Sequence, residues 1–559
     1  MIGDIREISE SVQSEKVLKP SNYPLYGLLT AATCTAIVYF IARWFAYEDW
    51  YARPFAFWGL TLIIVGRLAI NQLRWWCLPF MRKPLPLAAR PDWKVGVATT
   101  FVPGAESIDM LQNTVKGLVA LDYPHETWVL DEGNDARVAS LCAELGAFHF
   151  SRKNFPHYQT EEGTFQARSK HGNYNAWLHE IGFKRYEIIA AFDPDHVPET
   201  NFLSEVLGYF RDPQIGYVQA AQAYYNQGAS FIARGAAEET YGYYSSIQMF
   251  SFAMGYPVVT GCHNTHRVAA LNQVGGLPAH DADDLLITLL YRCHGWRGVY
   301  VPRILARGLT PVDWYGYIRQ QLRWARSVID IKLRKYPKIG RKLPIKERLA
   351  AFAHGFYYLQ GITVGVGLLI MAYMLATGLA PRALNYLVLR DFGLLSMILL
   401  LCDFYRQRFY LDWQHERGWH WRAGVLQLAK WPYLLIALFQ VLLNLRFPYV
   451  VTNKLKGQPR RYVLLGPHIL VAALIATAWI VGMISGITLD PVLHILAGTA
   501  LGGIFLLLAT EHMKFPLPYD PSLRASVTAR RLRLDEGKQL TTCRQDPRQI
   551  PIPHEVNNR

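Results

Sequence analysis

Seven apolar stretches, each about as long as a bilayer is thick, constrain this chain more than any other feature of its sequence. They cover 25–46, 54–71, 349–375, 383–402, 424–445, 462–485 and 492–511. A helix of about 20 apolar residues crosses the hydrocarbon core, and no water is present there to satisfy an open backbone. The first stretch is too long, and starts too far along the chain, for a cleavable signal peptide. Charge then decides which stretches cross. Arg74, Arg82, Lys83 and Arg90 follow the second, and Arg334, Lys335, Lys338, Arg341 and Lys342 precede the third. Arg406, Arg408, Arg417 and Arg422 follow the fourth, Lys454, Lys456, Arg460 and Arg461 the fifth, and Arg524, Arg530, Arg531 and Arg533 the last. The connections after the first, third and sixth carry only Arg53 and Arg382. The positive-inside rule places every basic cluster in the cytoplasm. Stretch 424–445 is then flanked by cytoplasm on both sides, and its Lys430-Trp431-Pro432 suits a helix lying along the inner face. The expectation is six spans with both termini inside; counting 424–445 as a span gives seven and an outside tail.

The expected fold class is a polytopic α-helical membrane protein with an inserted cytoplasmic α/β domain. Its expected organisation is a cytoplasmic segment 1–24, two spans within 25–74, the α/β domain with interfacial helices over 92–342, and two spans within 349–402. An interfacial helix and loop fill 424–461, two more spans 462–511, and a basic cytoplasmic tail 512–559. The formal charge of +15 is spent mostly at the inner ends of the spans, so no nucleic-acid partner is expected. Seven cysteines, odd in number and without a C-x-x-C pair, argue for a reducing compartment and against a structural zinc site.

Between 92 and 342 short β-rich runs alternate with helical ones, the rhythm of a parallel α/β sheet. Strands are expected at 94–102, 126–130, 186–192, 215–220 and 298–301, and helices at 107–121 and 285–294. Ligands in open α/β sheets bind beyond the carboxyl ends of strands. Asp131 stands at one such end, and Asp193-Pro194-Asp195-His196 at another. Two carboxylates two positions apart on a turn can share a hard divalent cation with diphosphate oxygens, although a lone Asp-x-Asp is more often a solvated turn. Lys170 opens a polar, Gly-containing turn; Asp281, Asp283 and Asp284 open a helix they could merely cap. Gln320, Arg323 and Trp324 share an amphipathic helix just before the third apolar stretch.

In this order, VLDEG at Asp131, KHGNYN at 170–175, FDPDH at 192–196, an acidic helix start and Q-x-x-R-W at 320–324 resemble the processive family-2 glycosyltransferases. These are the cellulose, chitin and hyaluronan synthases and their relatives, which extend and secrete β-linked polysaccharides. The resemblance implies a GT-A-like glycosyltransferase domain and an enzyme that polymerises a UDP-sugar, UDP-glucose foremost, with Mg²⁺ or Mn²⁺. Asp131 would contact the uridine and Lys170 the diphosphate. Asp193 and Asp195 would hold nucleotide and metal, and Asp284 would be the general base. Gln320 and Arg323 would position the donor, and Trp324 would stack under the acceptor sugar. Cys262 and His263 fall where cellulose synthases carry an acceptor-binding loop, although GCHNTHR matches that loop poorly. Tyr449, Val451, Thr452 and Lys454 resemble the gating loop of cellulose synthases, with Tyr in place of Phe. Thr-Glu-Asp has become Ala282-Asp283-Asp284, and the tail after Lys514 is too short for a nucleotide-sensing β-barrel of about 100 residues.

The partners implied are a UDP-sugar donor, the growing polysaccharide, the lipid bilayer, and either accessory export proteins or a second copy. The place implied is a bacterial inner membrane with the catalytic domain cytoplasmic. Phe356, Tyr357, Tyr358 and Tyr373 are candidates to line a translocation channel. A non-processive transferase making a glycolipid or lipid-linked sugar, and a synthase using UDP-GlcNAc, stay open as alternatives.

Overall fold

The apolar stretches fold as long helices in the computed structural model, which describes residues 11–445, 462–487 and 489–510. Helix α1 is Tyr23–Phe45 and α2 is Pro54–Trp76. Pro54 opens α2 where a missing N–H costs nothing and its fixed φ already suits the helix. Five helical segments among the described residues are long and apolar enough to cross a membrane: Pro20–Phe45, Pro54–Phe80, Ile345–Thr377, Val463–Ile484 and Pro491–Thr510.

The expected span at 383–402 is not among the five. Its helix, Tyr386–Arg406, has 21 residues but carries Arg390, Asp391, Asp403 and Arg406. It runs antiparallel to α1: Asp391 pairs with Arg43 at 3.5 Å near one end, and Cys402 meets Thr33 at 3.3 Å towards the other. The expected interfacial stretch 424–445 is a bent pair, Trp421–Ala429 and Trp431–Leu442, turning by 43° at Lys430. Pro432 explains the break, because it has no N–H to donate back to the preceding turn.

The middle of the chain builds an eight-stranded sheet. Its strands in chain order are β1 (Val95–Phe101), β2 (Glu126–Asp131), β3 (Phe148–Phe150), β4 (Ile188–Phe192) and β5 (Val197–Pro198). Then come β6 (Ile215–Tyr224), β7 (Asn264–Arg267) and β8 (Arg297–Gly308). The spatial order is β3-β2-β1-β4-β7-β6-β8-β5. Every residue of β1 and β4 is buried, as strands covered on both faces require. Val95 and Val97 point into a core with Leu118, Phe202 and Val206; Ala98, next after Val97, joins Tyr174, Trp177 and Tyr291 on the other face.

The sheet is mixed where a parallel one was expected. Strands β1 to β4 and the β6–β8 pair are parallel, but β7 runs antiparallel to both β4 and β6. The four polar residues of β7 give no strand signal. Asn264, Thr265 and His266 are buried because the chain returns between two apolar strands, where His266 is held by Asn264 (2.7 Å) and by the Tyr291 hydroxyl (3.0 Å).

The helices that shape the site are α3 (Ile108–Val119), α4 (Lys170–Trp177), α5 (Phe231–Gly242), α6 (Asp283–Cys293) and α7 (Trp314–Asp330). Helix α3 buries Leu111, Thr114, Val115 and Leu118, the spacing that puts one stripe on a sheet. Farther along are α8 (Gln360–Thr377), α9 (Tyr386–Arg406), the bent pair α10 (Trp421–Ala429) and α11 (Trp431–Leu442), then α12 (Gly466–Ile484) and α13 (Pro491–Thr510).

Candidate active site

Strand β4 ends in a turn that the His196 N–H closes by donating to the Asp193 carbonyl at 3.0 Å. Asp193 Oδ1 accepts from Lys170 Nζ at 2.6 Å, and the same ammonium donates to the Gly261 carbonyl at 2.6 Å. Lys170 is placed by the start of α4, where the Gly172 N–H donates to the capping Ser169 hydroxyl at 3.1 Å. Burial alone would lower the Lys170 pKa, but Asp193 and Asp283 outweigh it and hold the group well above its usual range. Asp195 is buried; its Oδ2 accepts from the Leu309 N–H at 3.2 Å, and its Oδ1 lies 3.2 Å from His196 Nδ1. Asp193, Asp195 and His196 each offer one ligand atom, all within 4.8 Å of one another.

Asp284 sits at the other wall, in the first turn of α6. Burial pushes its carboxyl up to about 7, and the neighbouring Asp283 adds to the rise. The Leu285 N–H at 2.7 Å and the charge of Lys170 work against that rise. A carboxyl poised near neutrality can take a proton at physiological pH and release it again, the property a general base needs.

One cavity of about 2000 Å³ joins these groups. Lys170, Asp193, Asp195 and Asp284 line it together with Gln320, Arg323 and Trp324 of α7. Helix α2 contributes Gly66, Arg67, Ile70, Leu73 and Arg74, a stripe at helical spacing that Cys77 continues just past its end, and α8 contributes Gln360 and Thr363. Phe356, Tyr357 and Tyr358 line it as well. Tyr373 does not; it packs edge-on against Phe55 with ring centroids 5.2 Å apart.

The glycosyltransferase-like family 2 model matches residues 96–327. The chain carries a family-2 glycosyltransferase domain. This glycosyltransferase is 26% identical over 310 residues to the catalytic subunit of the UDP-forming cellulose synthase of Xanthomonas axonopodis pv. citri (strain 306), a match over 53% of this chain and 40% of the relative. It is 30% identical over 285 residues to cellulose synthase 1 of Komagataeibacter xylinus, over 48% of this chain and 17% of the relative. The chain thus spans less than half the length of these curated relatives. Among solved structures, the mannosyltransferase PcManGT from Pyrobaculum calidifontis, in complex with GDP-Man and Mn²⁺, covers 70% of this chain and 99% of its own, at 16% identity and TM-score 0.47. The motif resemblance and the family match point to the same class of enzyme, a glycosyltransferase.

The glycosyltransferase brings together most of the residues singled out from its sequence. Lys170, Asp193, Asp195, Cys262, Asp284, Gln320, Arg323 and Trp324 all line the one cavity. Asp131 does not. It is fully buried, accepting from the Gly133 N–H at 2.8 Å and the Asp135 N–H at 2.5 Å and lying 3.1 Å from His149, while its neighbour Glu132 faces the cavity. His263 is fully buried and off the cavity wall, and burial pushes its pKa down to about 3. Tyr449, Val451, Thr452 and Lys454 lie outside the described residues.

Three groups escaped the sequence reading. Glu132 holds the buried Arg152 at 2.7 Å, and Arg152 Nη1 donates to the Tyr158, Phe165 and Gln166 carbonyls, bracing the loop ahead of Lys170. Glu238 and Glu239 of α5 form a polar seam with the bent pair. Lys430 Nζ donates to both Glu239 oxygens at 2.8 and 2.9 Å and to Gln321 at 3.1 Å, and the Tyr317 hydroxyl donates to Glu239 at 2.8 Å. Glu238 accepts from Arg422 at 3.3 Å and from the Ala423 N–H at 3.2 Å. Adjacent acidic residues directly after the small-residue run Gly235-Ala236-Ala237 were the available signal. Tyr243 reaches the cavity from a five-residue π-helical turn, Tyr243–Ile247, that follows α5.

Proposed function

We propose that this glycosyltransferase is a processive, inverting hexosyltransferase. It lengthens a β-linked polysaccharide from a nucleotide-sugar donor, UDP-glucose foremost, on the cytoplasmic side of a bacterial inner membrane, and feeds the product among its membrane helices. The observation that carries this reading is the single cavity of about 2000 Å³. A site for one small molecule occupies roughly 300–1,000 Å³. The larger space accommodates a donor beside Asp193 and Asp195, an acceptor end at Trp324, and several further sugars along Tyr357, Tyr358 and the inner face of α2. The UDP-forming cellulose synthase relative supports UDP as the leaving group.

Asp193 and Asp195, with His196 beside them, fit a divalent cation, because three oxygen and nitrogen donors converge within 4.8 Å at the end of β4. When bound, Mg²⁺ or Mn²⁺ supplies charge neutralisation to the departing diphosphate. The remaining steps belong to the chain. Lys170 holds Asp193 and the Gly261 loop in register and contributes a second positive charge near the diphosphate. Arg323 and Gln320, one turn apart on α7, orient the donor sugar. Trp324 presents an aromatic face on which the acceptor's terminal sugar stacks, replacing collision by orientation. Asp284 takes the proton of the attacking hydroxyl as that oxygen bonds to the anomeric carbon and the diphosphate leaves from the opposite face. One displacement of an α-linked donor gives a β linkage.

Membranes containing the protein, incubated with a panel of UDP- and GDP-sugars, test this reading. A high-molecular-mass product from one donor, cut by one linkage-specific hydrolase, is expected. A product of a single sugar on a lipid overturns processivity in favour of the glycolipid alternative.

A further inference from the structure

Behind the carboxylate pair lies a second set of metal-binding atoms with a different chemistry. His196, Cys262 and His263 each offer one ligand atom, all within 4.8 Å of one another, and all three side chains are buried. The tautomer of His263 is fixed. Its Nε2 lies 3.2 Å from the Ala220 carbonyl and 3.1 Å from the Ala221 carbonyl, and a carbonyl can only accept, so Nε2 carries the hydrogen. Nδ1 therefore keeps a bare lone pair, and that atom is buried without a partner. Metal-binding histidines are held in this way, one ring nitrogen donating to a carbonyl and the other free to ligate. His263 also sits at φ +37°, a left-handed backbone that a residue with a Cβ adopts at a cost, and such strain collects at functional sites. Its ring centroid stands 5.7 Å from that of His196. His196 and Cys262 both reach the cavity wall, which gives an ion a path in.

We propose that His196, Cys262 and His263 form a site for a borderline-soft divalent cation of the zinc class, next to the carboxylate pair and sharing His196 with it. Two imidazoles and a thiolate select zinc-like ions over Mg²⁺, whereas the oxygen-rich Asp193–Asp195 side selects the hard ions. The Cys262 thiol gives its proton to solvent as it ligates. Occupancy withdraws His196 from the carboxylates, so zinc competes with Mn²⁺ for the working site. That competition rests on the hard-cation site proposed above; zinc binding by itself does not.

The test uses full-length protein purified in detergent, stripped with a chelator and titrated with Co²⁺ as a spectroscopic stand-in for zinc. One equivalent is expected to produce a thiolate-to-cobalt charge-transfer band that added Zn²⁺ abolishes and that Cys262→Ser lacks. His263→Gln, which keeps the thiol, is expected to weaken Co²⁺ binding by about tenfold or more. No band at all, or the same band in Cys262→Ser, overturns the site. Should Cys262→Ser not fold, the His263→Gln titration and the zinc content of the unmodified protein decide alone, and an unaltered Co²⁺ affinity refutes the proposal. Sugar transfer is read separately: Zn²⁺ is expected to inhibit it, with Mn²⁺ relieving the inhibition. Transfer can therefore fail while the cobalt band appears, and the band can fail while transfer proceeds.

Discussion

Replacing Asp284 by Asn is expected to make the enzyme inactive and more stable together. Burial and Asp283 lift the Asp284 carboxyl from 3.8 to about 7. Because the folded-state value is the higher one, the folded protein keeps a proton between about pH 4 and 7 that the unfolded chain has already released. Stability therefore falls as pH rises through that window and levels off above it. The span corresponds to about 4 kcal/mol, an upper bound for what the ionised carboxylate costs the fold at pH 8. Asparagine keeps the shape and removes the charge. Thermal unfolding of chelator-treated protein should show Asp284→Asn close to wild type at about pH 4 and below, progressively more stable as pH rises to about 7, and more stable by a constant amount above that. Polymer synthesis should drop by roughly 10²–10⁴, the usual worth of a positioned base, and wild-type turnover should rise with pH up to about 7. A stability difference that does not change with pH, or near-normal synthesis by the variant, would refute the reasoning.

Trp324→Ala should shorten the polymer more than it slows donor hydrolysis, measured by product sizing beside UDP release; equal losses count against an acceptor platform. Lys430→Met strands Glu239 in a buried seam and should destabilise the protein by about 3–5 kcal/mol. The added Glu239→Gln should recover part of that in the same unfolding assay, and no recovery would mean the two do not act as a pair. Gly308→Ala would drive a methyl group into the His196 imidazole. The Mn²⁺ concentration for half-maximal transfer should rise in that variant, and an unchanged requirement would remove His196 from the cation site.

What the sequence disclosed followed physical context closely. Strands β1 and β4 were legible because a strand covered on both faces must be apolar throughout. The acidic turn at Asp193 was legible because strand ends are where such sheets place their chemistry. Strand β7 was hidden, since Asn264, Thr265, His266 and Arg267 are extended by their neighbours and not by their own preferences. Helix α9 was read as a plain apolar span, although Asp391 is matched to Arg43 on α1 and Arg390 beside it. The seam of Glu239 with Lys430 and the grouping of His196 with Cys262 and His263 join residues far apart in the chain, which no local spacing can report.

The seam also sets an order in which the molecule can be made. Glu239 precedes its partner Lys430 by 191 positions and Glu238 precedes Arg422 by 184. At a synthesis rate of about 5–20 residues per second, each carboxylate waits on the order of 10–40 s for its cation. During that interval the newly made sugar-transfer domain has one unfinished wall, the one that the later apolar helices complete. A ribosome stalled before Trp421 would leave a chain with its motif residues from Asp131 to Trp324 made and its cavity open, so completion of the enzyme is tied to completion of its later apolar helices.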